Sequence, residues 1–268
     1  MTREAMPKSP RTLEHATSKD GTRIAYDRTG QGPPVVLVLG AFNDRRTGAP
    51  LADALAQHLT VFSYDRRGRG DSGDAAAYAV EREIEDLDAM IGAAGGSASV
   101  FGYSSGAVLA LKAASMGLPI ARLALFEMPP AQPAEHAAAL ASLIAAGRRG
   151  DAVEYFQRRL VGIPEPIVAQ LRHAPFRPAL EAMAHTLVYE AAIMGYGGVS
   201  TALTAGVRAP VLALAGTASP PFMREVADAL ARALSQATSQ TIERATHDID
   251  PALLGPVLVR FFAVNDGA

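Results

Sequence analysis

Residues 100–107 read VFGYSSGA, two adjacent serines inside a Gly-x-Ser-x-Gly pentapeptide made of Gly102, Tyr103, Ser104, Ser105 and Gly106. An apolar run precedes it and the apolar stretch AVLALKAASM follows, which is the strand, sharp turn and helix setting of a nucleophile elbow. Small residues at 102 and 106 let the strand and the returning helix pass each other without a clash. Such a turn presents Ser104 at a helix N-terminus as a nucleophile, with the Ser105 N–H and the helix dipole facing a developing oxyanion. Serine is also a frequent helix cap, and the pentapeptide alone leaves both roles open. A second chemical group is Glu127, which ends the apolar run RLALFE at 122–127. A carboxylate at the inner end of a buried strand is costly unless a partner meets it. The chain has no cysteine, which excludes thiolate nucleophiles, thiolate metal ligands and disulfides together. Its six histidines show no metal-ligand spacing, so neither a metal nor another cofactor is expected.

These residues need a scaffold, and the hydrophobic pattern supplies one. TLEHATSKDGTRIAYDRTG (12–30) alternates on both sides of a turn at Asp20-Gly21, the pattern of a β-hairpin. PPVVLVLG (33–40), LTVFSYD (59–65), SASVFG (97–102), RLALFE and PVLALAG (210–216) are apolar without alternation, as strands covered on both faces of a mainly parallel sheet must be. Helical stretches lie between them; in 78–94, Val80, Ile84, Leu87 and Ile91 share one face. This alternation implies an α/β fold. The interval 128–206 has no buried strand and is broken by GIPEP, APFRP and YGG into what read as four short helices. An excursion of that kind over the end of a parallel sheet is expected to be a lid. The expected organisation is a tail at 1–10, a core of 11–127 with 207–265, and a lid at 128–206, with VNDGA ending the chain as a second tail.

From the hairpin to the last helix the chain resembles the α/β-hydrolase superfamily, whose fold is an eight-stranded, mainly parallel sheet flanked by helices. Beyond the elbow, three segments carry the resemblance: VLGAF (38–42), YDRRGRGDSG (64–73) and THDIDPALLGPVLVRFF (246–262). The family's order of Ser, acid and His implies Ser104 as nucleophile and His247 as general base. Asp248 diverges from His247 as an adjacent side chain and reads as a helix-start residue. The acid departs from the common pattern, because the turn that usually ends in Asp here reads Gly216-Thr217-Ala218-Ser219. A few subfamilies place the acid after the sixth strand, where this chain has Glu127. Among them the chain is most similar to the fungal zearalenone lactonases, and Ser104 argues against the dehalogenases that share the acid's position. The resemblance further implies an oxyanion hole made by the backbone amides of Ala41 and Ser105, and a purely structural loop around Asp65 and Arg67.

The function expected from this reading is hydrolysis of a hydrophobic carboxylic ester or lactone through an acyl-enzyme, in the class of carboxylic ester hydrolases. Hydrolysis of a carbon–carbon bond or thioester, or ligand binding with little turnover, are the alternatives. Candidate substrate-binding residues are Phe42, Asn43, Tyr103, Met128, His185, Tyr189, Met194, Tyr196 and Phe222. The composition is that of an ordinary globular chain, 49% hydrophobic and 19% charged with a net charge of −2. Its arginine-rich stretches at 44–46, 65–70 and 147–150 read as solvated loops, so no nucleic-acid partner is expected. The polar N-terminus and the absence of a long apolar run point to a cytoplasmic monomer or homodimer without membrane contact.

Overall fold

The computed structural model describes residues 11–263, so both segments read as tails lie outside the described residues. Eight strands form one sheet: β1 (Thr12–Thr17), β2 (Arg23–Thr29), β3 (Pro34–Val38), β4 (Thr60–Tyr64), β5 (Ala98–Tyr103), β6 (Ile120–Phe126), β7 (Val211–Gly216) and β8 (Ala237–Ile242). Their order is β1-β2-β4-β3-β5-β6-β7-β8. The β1–β2 hairpin and the β2–β4 pairing are antiparallel, and every other pairing is parallel. The hairpin turns at Gly21, whose φ of 87° is one that a side chain disfavours.

The apolar runs lack alternation because both faces of the sheet are covered. In β3, Val36 and Val38 join one core and Val35 and Leu37 the other. On the first face lie α2 (Val80–Ala93), α3 (Ser105–Ser115) and α10 (Pro221–Ala233); on the second lie α1 (Ala49–Leu55) and α11 (Pro251–Phe262). The strand β8 escapes sequence reading for the opposite reason. Its residues ATSQTI form an exposed polar edge with only Ile242 buried, so it has no apolar run to betray it.

The interval between β6 and β7 holds six helices where four were expected: α4 (Glu135–Ala145), α5 (Arg149–Phe156), α6 (Glu165–Leu171), α7 (Arg177–Ala182), α8 (Leu187–Met194) and α9 (Thr201–Thr204). A π-helical turn at Gln157–Val161 extends α5, and a 3-10 turn at Ala184–Thr186 precedes α8. This insertion has its own small core around Leu140, Val153, Phe156, Leu187 and Met194, against which Ala41 and Phe42 pack.

The arginines of 64–73 are not solvated, contrary to the sequence reading. Arg66, Arg67 and Arg69 are all buried. Arg66 makes a bidentate pair with Glu83 at 2.6 and 2.8 Å, and Arg67 one with Asp86 at 2.7 Å on both arms. Asp65 accepts the amides of Arg45 and Asp71 at 2.7 and 2.9 Å. Guanidinium forks matched to carboxylates are what make such burial tolerable. Among the described residues no helix is long and apolar enough to cross a membrane.

The helix α3 passes close against the end of β3. A Cβ at Gly106 would stand 2.2 Å from the Val38 carbonyl oxygen, which is backbone and cannot yield. Gly106→Ala is therefore expected to cost about 2 to 3 kcal/mol, as overpacking does, and to lower Tm by roughly 5–10 °C. Gly92→Ala on the exposed side of α2 meets nothing within 4 Å and should be neutral or stabilising by about 0.5–1 kcal/mol. Thermal denaturation of the two variants checks the contrast.

Candidate active site

Segments that follow the C-terminal ends of the parallel strands β5, β6 and β8 bring Ser104, Glu127 and His247 together, at the end of an α/β sheet where ligands bind. The strand β5 ends at Tyr103, and Ser104 follows with φ 55° and ψ −126°. A non-glycine residue at positive φ is strained and persists only where its surroundings hold it. The Ser104 N–H donates to the Phe126 carbonyl at 3.0 Å and its carbonyl accepts from Ala107 N–H at 2.9 Å. Its side chain makes no capping bond to α3, so the cap reading of this serine is removed.

The hydroxyl instead lies 3.2 Å from His247 Nε2, and His247 Nδ1 lies 3.3 Å from Glu127 Oε2. Glu127 follows β6 directly, with φ 54°, and is fully buried. Its other oxygen accepts the Gly216 N–H at 2.6 Å. The strand-ending turn that usually carries the acid thus contributes a backbone donor here. Ser219, three residues on, is buried with no hydrogen-bond partner for its hydroxyl. The ring of Tyr103 flanks His247 with centroids 5.2 Å apart. Burial, and after it Asp248 and Glu127, pushes the Tyr103 phenol above its ordinary range, so it stays neutral beside the pair.

Hydroxyl, imidazole and buried carboxylate in series form an arrangement in which the imidazole can take the hydroxyl proton while the carboxylate orients it. The amides of Ala41 and Ser105 complete the setting. Both residues line the same cavity as Ser104, and neither N–H donates to any described residue. Phe42, next to Ala41, is a third non-glycine residue at positive φ, 61°. Arg244 apart, all such residues in the described chain sit at this site.

The cavity has a volume of about 410 Å³, within the range of small-molecule sites. Of the expected binding residues, Phe42, Tyr103, Met194 and Phe222 line it. The others do not, and each has a structural reason. Asn43 turns back to donate to the Ala41 carbonyl at 2.7 Å. Met128 is buried in the sheet core. Tyr196 is exposed beneath Lys112 Nζ, which lies 4.2 Å from its ring centroid. His185 and Tyr189 pack on the 64–78 segment: Tyr189 stacks on Tyr78 at 3.9 Å and donates to Asp74 at 3.0 Å, and His185 lies 3.5 Å from the same carboxylate. Burial lowers the pKa of His185 despite that carboxylate. Asp248 does not start a helix; Asp250 caps α11, its side chain accepting the Ala252 N–H.

Sequence reading missed the wall contributed by the insertion: Phe156, Gln157, Leu160, Val161 and Ile163. Phe156, Leu160 and Ile163 stand at i, i+4 and i+7, a spacing that was legible, but the π turn that aims them was not. Gln157 is 5% exposed and its Oε1 has no partner. Among the described residues no cluster of three or more His, Cys, Asp or Glu could hold a metal.

Ser104 faces the cavity beside an imidazole, whereas the Ser105 hydroxyl is buried with no partner. A fluorophosphonate probe should therefore modify Ser104 alone, read as one adduct on the peptide carrying residues 104 and 105 and lost in Ser104→Ala. An adduct that survives Ser104→Ala would contradict this geometry.

Comparison with known proteins adds the lineage. The structure superposes with a TM-score of 0.87 on an alpha/beta hydrolase from Sphaerobacter thermophilus, 53% identical, covering 93% of this chain and 100% of that one. It also superposes with a TM-score of 0.71 on the enol-lactonase from Burkholderia xenovorans, 23% identical over 92% of this chain and 99% of that one, which is a likeness of fold. Part of the sequence is 33% identical to N-formylmaleamate deformylase from Pseudomonas putida over 125 residues, 45% of this chain. Another part is 38% identical to the uncharacterised hydrolase YraK of Bacillus subtilis over 95 residues, 34% of this chain. The chain matches less than half the length of these curated relatives, 47% and 35%. Residues 35–256 match the model of the alpha/beta hydrolase family, and the chain belongs to that family.

Proposed function

We propose that this hydrolase cleaves hydrophobic carboxylic esters or lactones through an acyl-enzyme on Ser104. The observation that carries the reading is the series of Ser104 Oγ, His247 and Glu127 at 3.2 and 3.3 Å, with Ser104 and His247 lining an apolar cavity and Glu127 buried behind them. His247 Nε2 takes the Ser104 proton as Oγ attacks the carbonyl carbon. The carbonyl electrons move onto oxygen, and the Ala41 and Ser105 amides stabilise that oxyanion. Collapse expels the alkoxide, which receives the proton from His247; in a lactone the alkoxide stays tethered to the acyl group. Water, deprotonated by the same imidazole, then releases the acid and restores Ser104. Glu127 stabilises the imidazolium formed in both halves without itself taking the proton.

The cavity wall supports a hydrophobic substrate, and the helical insertion acts as its lid. Gln157 sharpens the class. A buried amide oxygen without a partner is costly, and on an apolar wall it serves best as acceptor for a hydroxyl on the substrate. The likeness to an enol-lactonase and to esterases from Thermogutta terrifontis and Rhodococcus sp. agrees with ester chemistry. The partial match to a deformylase makes an activated formyl amide the second class to test. Kinship to the zearalenone-lactonase group rests on the Glu127 position.

A panel of aryl esters, lactones, thioesters, diketones and formyl amides tests this reading. Esters or lactones with apolar acyl groups should be turned over fastest, and Ser104→Ala should lose roughly 10⁴- to 10⁶-fold in kcat while retaining the fold. Gln157→Leu should raise KM about tenfold for hydroxylated substrates and leave their deoxy analogues within twofold, the loss of one buried hydrogen bond. Undiminished turnover in Ser104→Ala contradicts the mechanism, and fastest turnover of diketones contradicts the substrate class.

A further inference from the structure

The Ala41 N–H belongs to the same peptide unit as the Gly40 carbonyl. That unit is planar and trans, so its carbonyl and its N–H point in opposite directions. Whatever holds the Gly40 oxygen therefore aims the Ala41 N–H. Arg69 Nη1 donates to the Gly40 carbonyl at 2.7 Å and to the Asn43 carbonyl at 3.2 Å, and Arg66 Nη1 donates to the Leu39 carbonyl at 3.1 Å. Two guanidiniums thus fasten the loop from behind, on the side away from the cavity.

These arginines are joined to the helical insertion through one residue. Glu190 lies on α8 and is fully buried. Its Oε1 accepts from Arg66 Nη1 at 2.8 Å and also from Arg69 Nη2. The two arginines are not equivalent. Arg66 keeps a bidentate partner in Glu83, whose carboxyl Arg66 holds below the ordinary range although burial alone would raise it. Arg69 has Glu190 as its one carboxylate partner among the described residues. Without Glu190 a guanidinium with 1% side-chain exposure would be left uncompensated, and a buried charge in that position moves toward water or takes its neighbours with it.

We propose that Arg69 and Glu190 are positioning residues for the oxyanion hole: α8 supplies the counter-charge that keeps Arg69 behind the Gly40–Ala41 peptide. Seating of the insertion and the aim of the Ala41 N–H are then a single event. With α8 displaced, the Gly40 carbonyl loses its donor and the peptide is free to rotate, turning the N–H out of the cavity. Gly40 is the residue that permits such rotation, and its approach to Ser104, where a Cβ would meet the Ser104 Cβ at 2.8 Å, shows how close the peptide lies to the reacting group.

The inference rests on the acyl-enzyme reading, and the experiment separates the two. The double variant Arg69→Met/Glu190→Met removes both charges together and leaves the Arg66–Glu83 pair intact. Replacing a buried ion pair by apolar residues of similar volume is generally tolerated, so Tm should stay within a few degrees. With an activated aryl ester, kcat should fall about 10- to 100-fold with KM within threefold, less than the loss of a whole oxyanion donor. Affinity for an aryl trifluoromethyl ketone, whose hemiketal on Ser104 places an oxyanion in the hole, should fall by the same factor as kcat/KM. Arg69→Lys, which keeps the charge and one donor, should recover most of the loss. Native kcat in the folded double variant, or a change in KM alone, overturns the proposal. Should the double variant fail to fold, Arg69→Lys decides: ketone affinity falling in step with kcat/KM by a few-fold supports the proposal, and native values of both overturn it. A native protein that forms no ketone adduct at Ser104 overturns the acyl-enzyme reading instead.

Discussion

The buried carboxylate of Glu127 is the constraint to which the site is fitted. It has no access to water, and an isolated charge in that position would cost several kcal/mol. Two donors compensate it, the Gly216 N–H at 2.6 Å and His247 Nδ1 at 3.3 Å. Satisfying both requires that β6 end in a residue at positive φ, that β7 end in a glycine turn, and that the 243–250 segment return over the sheet. The adjacent Ser104 N–H is tied to the Phe126 carbonyl, so the two strained residues are braced by the same stretch of chain. Strain of this kind survives because the parallel sheet beneath it is rigid and covered on both faces.

Much of the fold was legible because burial on two faces leaves an unmistakable apolar run, and the strands β3 to β7 each carry one. The edge strand β8 has the composition of a solvated loop, and only its pairing with β7 makes it a strand. The chemical residues were legible for a related reason. A Gly-x-Ser-x-Gly turn between a strand and a helix, and a Glu closing an apolar strand, both violate the local expectation for their positions. Such violations concentrate where function is built. The cavity wall was less legible. Met128 and Tyr196 have the right composition for a pocket, yet one belongs to the sheet core and the other to the surface. His185 and Tyr189, at i and i+4, do share a face, but that face meets Asp74 and Tyr78. Which side of an insertion looks inward is decided by long-range packing that spacing alone does not encode.

The arginine-rich segment shows the same limit from another direction. In sequence, YDRRGRGDSG is a charged loop with ample glycine, the composition of a solvated turn. In the fold its guanidiniums are buried against carboxylates outside the segment, Glu83 and Asp86 on α2 and Glu190 far along the chain on α8. The charges form a connected set in which Glu190 is shared by Arg66 and Arg69, and it reaches the back of the loop that carries Ala41. The end of the sheet that carries Ser104 and the helical insertion are thereby linked through polar contacts as well as through the apolar contact of Phe42 with Phe156, whose rings meet edge to face at 5.5 Å.

The assignment of Glu127 as the partner of His247 is the central claim, because it distinguishes this site from one that merely retains a serine and a histidine. The most direct test is single-turnover acylation of Glu127→Gln by an activated ester, compared with Asp248→Asn. Glutamine preserves shape and can still accept the Gly216 N–H, yet it offers no charge to an imidazolium. The account predicts a loss of about 10³- to 10⁴-fold in acylation rate for Glu127→Gln and a rate within threefold of native for Asp248→Asn. A near-native rate in Glu127→Gln, or a collapse confined to Asp248→Asn, would contradict it.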